Sequence, residues 1–345
     1  MRWLLAGMVA VLGAVVAGLA FGPVPLPPGS VALELLNQLP FVRIDSGLSP
    51  TDAAIVHDLR LPRVVLGLLV GATLALAGAC YQGVFRNPLA DPYLLGVAAG
   101  AGLGATAAIA ARAAAGSSAV AGSGTPIGVP AAAFVGALAA VALTYALGAA
   151  GARYRSPATL ILAGVAVSAF ATAVQTYLQQ RNVETIREVY AWLLGRLGTA
   201  GWHDVLLLLP YSVVMTVVIL LARRSLDVLA VGDEEAASLG MHPQRIRYGL
   251  IVVASLGTAA AVSVSGLIAF VGIIVPHTLR LLAGTSYRVV LPLSALFGAA
   301  FLSLADLAAR TVVAPAEVPI GVVTAFLGAP FFVLVLRTAS RPVST

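Results

Sequence analysis

Runs of about twenty apolar residues recur along this chain, and they restrict its fold more than any other feature. Backbone in hydrocarbon must satisfy its own hydrogen bonds, so only helices and closed barrels can span a membrane, and runs of this length read as helices. Ten stretches can be bracketed, at 3–21, 61–82, 93–111, 127–150, 158–178, 205–222, 246–264, 267–282, 289–309 and 320–336. The first follows Arg2 and ends in small residues, as a signal sequence does. Its apolar run is longer than a signal core and further spans follow, so it reads as a retained helix. Only 10% of the 345 residues are charged, against about a quarter in a water-soluble domain. The expectation is an all-α, polytopic membrane protein of about ten transmembrane helices, forming one domain over residues 1–345. Five spans separate the second helix from the seventh, so two halves of five would lie in inverted orientation.

All 20 basic residues are arginine. With a cytoplasmic N-terminus, 12 of the 20 fall on inside segments, which places both termini in the cytoplasm of a multi-pass protein of the cytoplasmic (inner) membrane. The net charge of +6 then reports topology and lipid contact, and no nucleic-acid partner is expected. The single cysteine, Cys80, rules out a disulfide framework or a cysteine metal site within one chain. The histidines, His57, His203, His242 and His277, are scattered, so no metal site is expected. His-Glu-x-x-His and Gly-x-Ser-x-Gly patterns are missing. A phosphate-binding Gly-x-x-x-x-Gly-Lys-Ser/Thr loop needs a lysine the chain does not have, so any ATP hydrolysis must occur on a partner.

Several segments between or within the spans carry more than hydrophobicity. The longest polar inside segment, 223–247, contains Gly232-Asp-Glu-Glu-Ala-Ala-Ser-Leu-Gly240, which reads as a short helix. Asp233, Glu234 and Glu235 suit its N-terminal end through the helix dipole, and Gly240 suits its stop. Such a helix is either a free surface element or the part that receives force from a motor subunit. The connection from Gln82 to Pro92 holds two prolines, which fix either a tight turn or a gate at the cytoplasmic mouth. Asp306 lies within an apolar span four residues before Arg310, the spacing of a self-contained helix pair. Small residues recur at Gly67, Gly71, Gly96, Gly100 and Gly104, where helices can approach closely. Ser168, Thr172 and Gln175 recur at helical spacing on the fifth span, to line a pathway or to pack against neighbours.

On these residues the sequence resembles the FecCD-type permeases of ABC importers, which take up iron-siderophore complexes, haem and cobalamin. The matching segments are Arg60-Leu-Pro-Arg63, Val70-Gly-Ala, Gln82 with Arg86-Asn-Pro-Leu-Ala90, Leu95-Gly96, the Gly232–Gly240 segment, Phe270-Val-Gly272 with Val275-Pro-His277, and Glu317-Val-Pro-Ile-Gly321 to Gly328-Ala-Pro330. The resemblance implies a homodimer of ten-helix subunits, two cytoplasmic ATP-binding subunits and an extracytoplasmic substrate-binding protein. It implies that Asp233, Glu234, Glu235, Ala236, Ser238, Leu239, Gly240 and Met241 form the helix that couples to the ATPase. It also implies a cytoplasmic gate of Asn87 and Leu89 with Ser156, Pro157 and Ala158; here that second turn reads Ser-Pro-Ala and lacks some polar residues of its relatives. Arg60, Arg63 and Arg310 would meet acidic residues of the binding protein, or would snorkel at the interface. No cofactor is expected on this chain, and ATP and magnesium would sit on the partner subunit.

Three classes of function compete: the ABC importer permease, an ion-coupled secondary transporter and an intramembrane enzyme. The scarcity of acidic residues at membrane depth counts against the second, and the missing motifs count against the third. Small, weakly polar pathway walls suit a bulky chelate. An iron chelate is the preferred cargo, with cobalamin the alternative.

Overall fold

A computed structural model describes residues 2–37, 44–115, 128–150 and 157–339. Among these residues the chain is helical throughout. Helix α1 is Arg2–Ala20, α2 is Pro28–Leu36, and α3 is Pro50–Ala54, which runs through a π-helical stretch at Ile55–Arg60 into α4, Leu61–Val84. Pro62 has no N–H to give the first turn of α4, so the wider π turn passes into the α-helix without losing a backbone bond there. A 3-10 turn at Pro92–Leu95 leads into α5, Val97–Ala114, followed by α6, Val129–Ala150, and α7, Pro157–Arg181. The short α8, Ile186–Leu193, precedes α9, Trp202–Leu221. Then come α10, Arg223–Val231; α11, Asp233–Ser238; α12, Pro243–Ser265; α13, Val271–Ala283; α14, Tyr287–Thr311; and α15, Ile320–Ala339.

Eight of these helical runs are long and apolar enough to cross a membrane, and α13 and α15 are shorter apolar helices, so all ten bracketed stretches are helices. The sequence reading did not anticipate α2, α8 or α10. Each is a short helix next to a span, where a periodicity of two turns is too brief to stand out from flanking apolar residues.

α4, α12 and α14 form the centre of the chain, while α1, α7 and α9 lie at its periphery with about a quarter of their span buried. α1 runs along α14, and α5 packs on α6 and α7. Lipid does not drive apolar helices together, so close association must come from backbone approach. At the crossing of α4 and α13, a Cβ built on Gly78 would stand 2.0 Å from the carbonyl oxygen of Gly272; at the crossing of α4 and α14, one on Gly71 would stand 2.2 Å from that of Gly298. Both contacts are backbone against backbone, so no side-chain rotation can relieve them. Gly78→Val is therefore expected to abolish the monodisperse peak in detergent size-exclusion chromatography, whereas Gly249→Val, which meets nothing within 4 Å, should leave it unchanged. Equal behaviour of the two variants would show that this crossing does not hold the bundle.

Candidate functional site

The polar groups of the molecule collect at the two ends of α4, whose 24 residues rise about 36 Å at 1.5 Å each. At the C-terminal end, α11 is tied to the bundle through one arginine. Arg247 on α12 is only 2% exposed. Its Nη1 and Nη2 donate to the two carboxylate oxygens of Asp233 at 3.1 and 2.8 Å, and its Nε donates to the carbonyl oxygen of Val84, the last residue of α4, at 3.0 Å. A planar guanidinium with all three edges engaged fixes orientation as well as distance. Three helices are thereby joined at one point. The Arg247 hydrogen bonds hold the Asp233 carboxyl below the usual carboxylate range, and Arg86, 3.5 Å away, adds to this.

α11 itself is built as its sequence foretells. Acidic residues occupy its first turn, Ala236 is buried as its single anchor, and Gly240 takes the left-handed conformation at φ 79°. The N–H of Gly240 donates to the carbonyl of Ala237 and that of Met241 to the carbonyl of Ala236, which satisfies the last carbonyls of the helix. Ser238 Oγ donates to the Glu235 carbonyl. Glu234, Glu235, Ser238 and Leu239 face outward, and Leu239 is 72% exposed.

The turn after α4 is equally constrained. Asn87 Oδ1 accepts from the N–H of Leu89 at 2.9 Å, the Asn87 carbonyl accepts from Ala90, and Arg86 has a φ of 49°. Asp91 accepts from the N–H of Tyr93 and so caps the 3-10 turn, and burial pushes the Asp91 carboxyl up to about 6. The Tyr93 hydroxyl donates to Ile268 O at 2.9 Å. Gln82 Nε2 donates to Gly272 O at 3.1 Å, and Gln82 Oε1 accepts from Arg280, which also lies over the Tyr287 ring. The turn is thus bonded to the segment before α13 and, through Gln82, to α13. Ser156 lies outside the described residues, as does the Pro157 side chain, and Ala158 is exposed at the start of α7. α7 packs on the 3-10 turn at Gly164, six residues after Ala158. Of the expected pathway residues, Thr172 is exposed, Ser168 is half-buried beside Gly96, and Gln175 is buried against Gly102.

At the N-terminal end of α4, the three arginines have separate surroundings. Arg63 Nε and Nη2 donate to both carboxylate oxygens of Asp306 at 2.9 to 3.1 Å, and Nη1 and Nη2 donate to the two oxygens of Glu317 at 2.9 Å. Asp306 is buried, whereas Glu317 sits on the α14–α15 connection with its side chain 40% exposed. Arg310 stands 3.5 Å from Asp306, so the principal partner of this carboxylate is Arg63, on another helix, and not the residue four positions on. This corrects the self-contained helix pair read from the spacing. The side chains of Arg60 and Arg310 turn inward: Arg60 donates to the carbonyls of Leu19, Ala20 and Val24, and Arg310 to that of Gly18. Both are buried, and both serve the orphan carbonyls at the end of α1, where a cation also suits the dipole. Neither snorkels at the surface. A cavity of about 440 Å³ opens between them, bordered by Leu59, Arg63, Thr199 and Glu317.

Arg63 holds the Glu317 carboxyl below its usual range. A carboxyl depressed in the folded state contributes stability above its ordinary pKa, about 4.3, and loses it as pH falls through the folded value. Hydrogen-exchange protection in the α14–α15 connection, taken relative to the intrinsic exchange rate at each pH, is therefore expected to fall on acidification below about pH 4, and Glu317→Gln should remove that dependence. An unchanged profile in the variant would place the titrating group elsewhere.

Arg247, Arg280 and Asp91 are the residues that sequence reasoning missed as site members. Arg247 and Arg280 read as topology charges among 20 arginines, and only their burial and partners distinguish them.

Comparison with known proteins gives a consistent picture. The profile of the FecCD transport family matches residues 9–338. The chain is 40% identical over 314 residues to the cobalamin import system permease protein BtuC of Halobacterium salinarum, covering 91% of this chain and 82% of that one. It is 39% identical to the hemin transport system permease protein HmuU of Yersinia pestis, covering 81% and 82%. It is 36% identical to the Fe(3+)-citrate import system permease protein YfmD of Bacillus subtilis, covering 90% and 89%. Among solved structures, one described as a metal-chelate type ABC transporter in an inward-facing conformation superposes with a TM-score of 0.82 at 27% identity, over 98% of this chain and 99% of that one.

Proposed function

The chain belongs to the FecCD transport family, and on that premise we propose that it is the permease subunit of an ABC importer that carries a bulky metal chelate into the cytoplasm. The observation that carries the mechanism is the Arg247 junction, because it links a small exposed helix to the C-terminus of the most buried span. A separate ATP-binding subunit would dock on the outward face of α11, with Leu239 and the acidic first turn as its footing. ATP binding closes that motor; α11 moves; Arg247 passes the displacement to Val84 and so to α4. The Asn87–Leu89 turn, bonded at the same end, would open or shut in response. Nucleotide makes transport directional by stabilising inward- and outward-facing states unequally.

In the same reading the α11 end faces the cytoplasm and both termini lie on that side, in the cytoplasmic membrane. The chain acts as one transmembrane domain, pairs with a second copy of itself, and receives substrate from an extracytoplasmic binding protein at the Arg63 end. Of the three expected docking arginines, the inward burial of Arg60 and Arg310 leaves Arg63, with Glu317, nearest that surface. ATP and magnesium belong to the partner. This chain performs no covalent chemistry.

An iron chelate is the proposed cargo, on the likeness to haem and iron-citrate permeases along most of the chain. Cobalamin is a second reading, favoured by the 40% identity with a cobalamin permease. Uptake of labelled ferric citrate, haem and cobalamin into proteoliposomes, with a candidate ATPase subunit and binding protein, tests both levels. One cargo should enter, with ATP and both partners required. Uptake driven by an ion gradient without the ATPase would overturn the importer reading; entry of cobalamin alone would overturn only the cargo.

A further inference from the structure

A groove of about 470 Å³ lies at the junction of α9 and α10, lined by Val217, Leu220, Leu221, Arg223 and Arg224. Its wall is apolar: Leu221 is 78% exposed and Val217 is half exposed, on a helix whose span is mostly open to its surroundings. Its floor is charged. Arg223 and Arg224 are both exposed, and no ion pair or hydrogen bond joins either guanidinium to another described residue. The carboxylate nearest in register, Asp227, is four residues from Arg223 but faces away. It accepts from Tyr287 N at 2.6 Å and Ser286 Oγ at 3.0 Å, and it stands 3.5 Å from Arg288. The first turn of α10 contains no acid, so two cations stand at the helix end where the dipole favours an anion. α10 is nevertheless held in place, with Leu226 and Leu229 buried against α4 and α14.

We propose that this groove binds one anionic phospholipid, with its phosphate between Arg223 and Arg224 and an acyl chain along Val217, Leu220 and Leu221. The chemistry fits at both ends. A span ending in hydrocarbon and followed at once by two arginines places the guanidinium groups at headgroup level, and the exposed leucine and valine continue below them into the acyl region. The bound phosphate offsets the unfavourable dipole contact and fixes the N-terminus of α10 at the bilayer surface. Because α11 follows α10 after Gly232 alone, the lipid anchors the lever that carries the partner-facing helix. The lipid assignment stands on the groove and its charges, and does not depend on the transport reading.

Native mass spectrometry of the purified full chain tests it, after stepwise delipidation in detergent with phosphatidylglycerol or phosphatidylcholine added back. One phosphatidylglycerol per chain should be retained, and R223Q/R224Q should weaken that retention by about 30-fold, the ratio expected from two juxtamembrane arginines. R223K/R224K should restore most of it. R245Q, an exposed arginine on the polar segment outside the groove, should have no effect. Equal retention of the two lipids, retention unchanged in R223Q/R224Q, or displacement by millimolar inorganic phosphate would each overturn the proposal; the last would make this a plain anion site. Retention unchanged together with loss of ATPase-subunit binding would assign the face to the motor protein.

Discussion

Asp306→Asn is expected to destabilise the folded chain by about 3 kcal/mol or more, because it leaves the buried Arg310 with no full negative charge beside it and Arg63 with Glu317 alone. Breaking a buried pair from one side is costly for the partner left behind: Arg310 is 3% exposed and, among the described residues, donates one hydrogen bond, to Gly18 O. Glu317→Gln offers the contrast. Its carboxylate touches the same guanidinium but is partly solvated, so its loss should cost under about 1 kcal/mol. Thermal unfolding in detergent, read as loss of the size-exclusion peak after heating, separates the two. Equal shifts, or a larger one for Glu317→Gln, would mean that the buried carboxylate does not organise this end.

Arg247→Gln should reduce ATP-driven uptake more than tenfold while leaving the chain folded and inserted. Glutamine can still donate to Val84 O or to Asp233, but it cannot reach both carboxylate oxygens and the carbonyl together. The expected phenotype is uncoupling: the ATPase subunit continues to hydrolyse ATP and cargo entry falls. Asp233→Asn, which keeps a hydrogen bond to the guanidinium, should show a milder loss in the same direction. Uptake within twofold of the parent in Arg247→Gln would remove this junction from the transmission path.

Much of this architecture is legible in sequence because the bilayer imposes a length and a composition that no other constraint resembles. The ten apolar helices, the glycines at helix crossings and the Gly240 stop all follow from local chemistry: apolar length, missing side chains and a left-handed residue. The polar junctions are another matter. Arg247 meets Asp233 across 14 residues, Gln82 meets Arg280 across 198, and Arg63 meets Asp306 across 243. No periodicity reports such pairings, and one arginine looks like another until its burial is known. The same limit applies to the three arginines expected to dock a binding protein. Their position at a helix end was readable, but the inward turn of Arg60 and Arg310 depends on where α1 ends, which is a property of packing. Residues on the fifth span illustrate it again: a spacing of four and three places them on one helix face, and only the packing shows that Gln175 is buried against Gly102 while Thr172 is exposed.

The cap on α1 also has a chronology. Arg60 arrives about 40 residues after the carbonyls it serves, whereas Arg310 reaches Gly18 O from 292 residues further along. A ribosome adding roughly 5–20 residues each second needs on the order of 15–60 s to make that stretch. During that time the first helix must wait beside the growing protein with one of its terminal acceptors unclaimed. It gains its final neighbour, α14, only when the ninth span enters the bilayer. α1 is thus made long before the helix that locks it, and its end is closed only when α14 arrives.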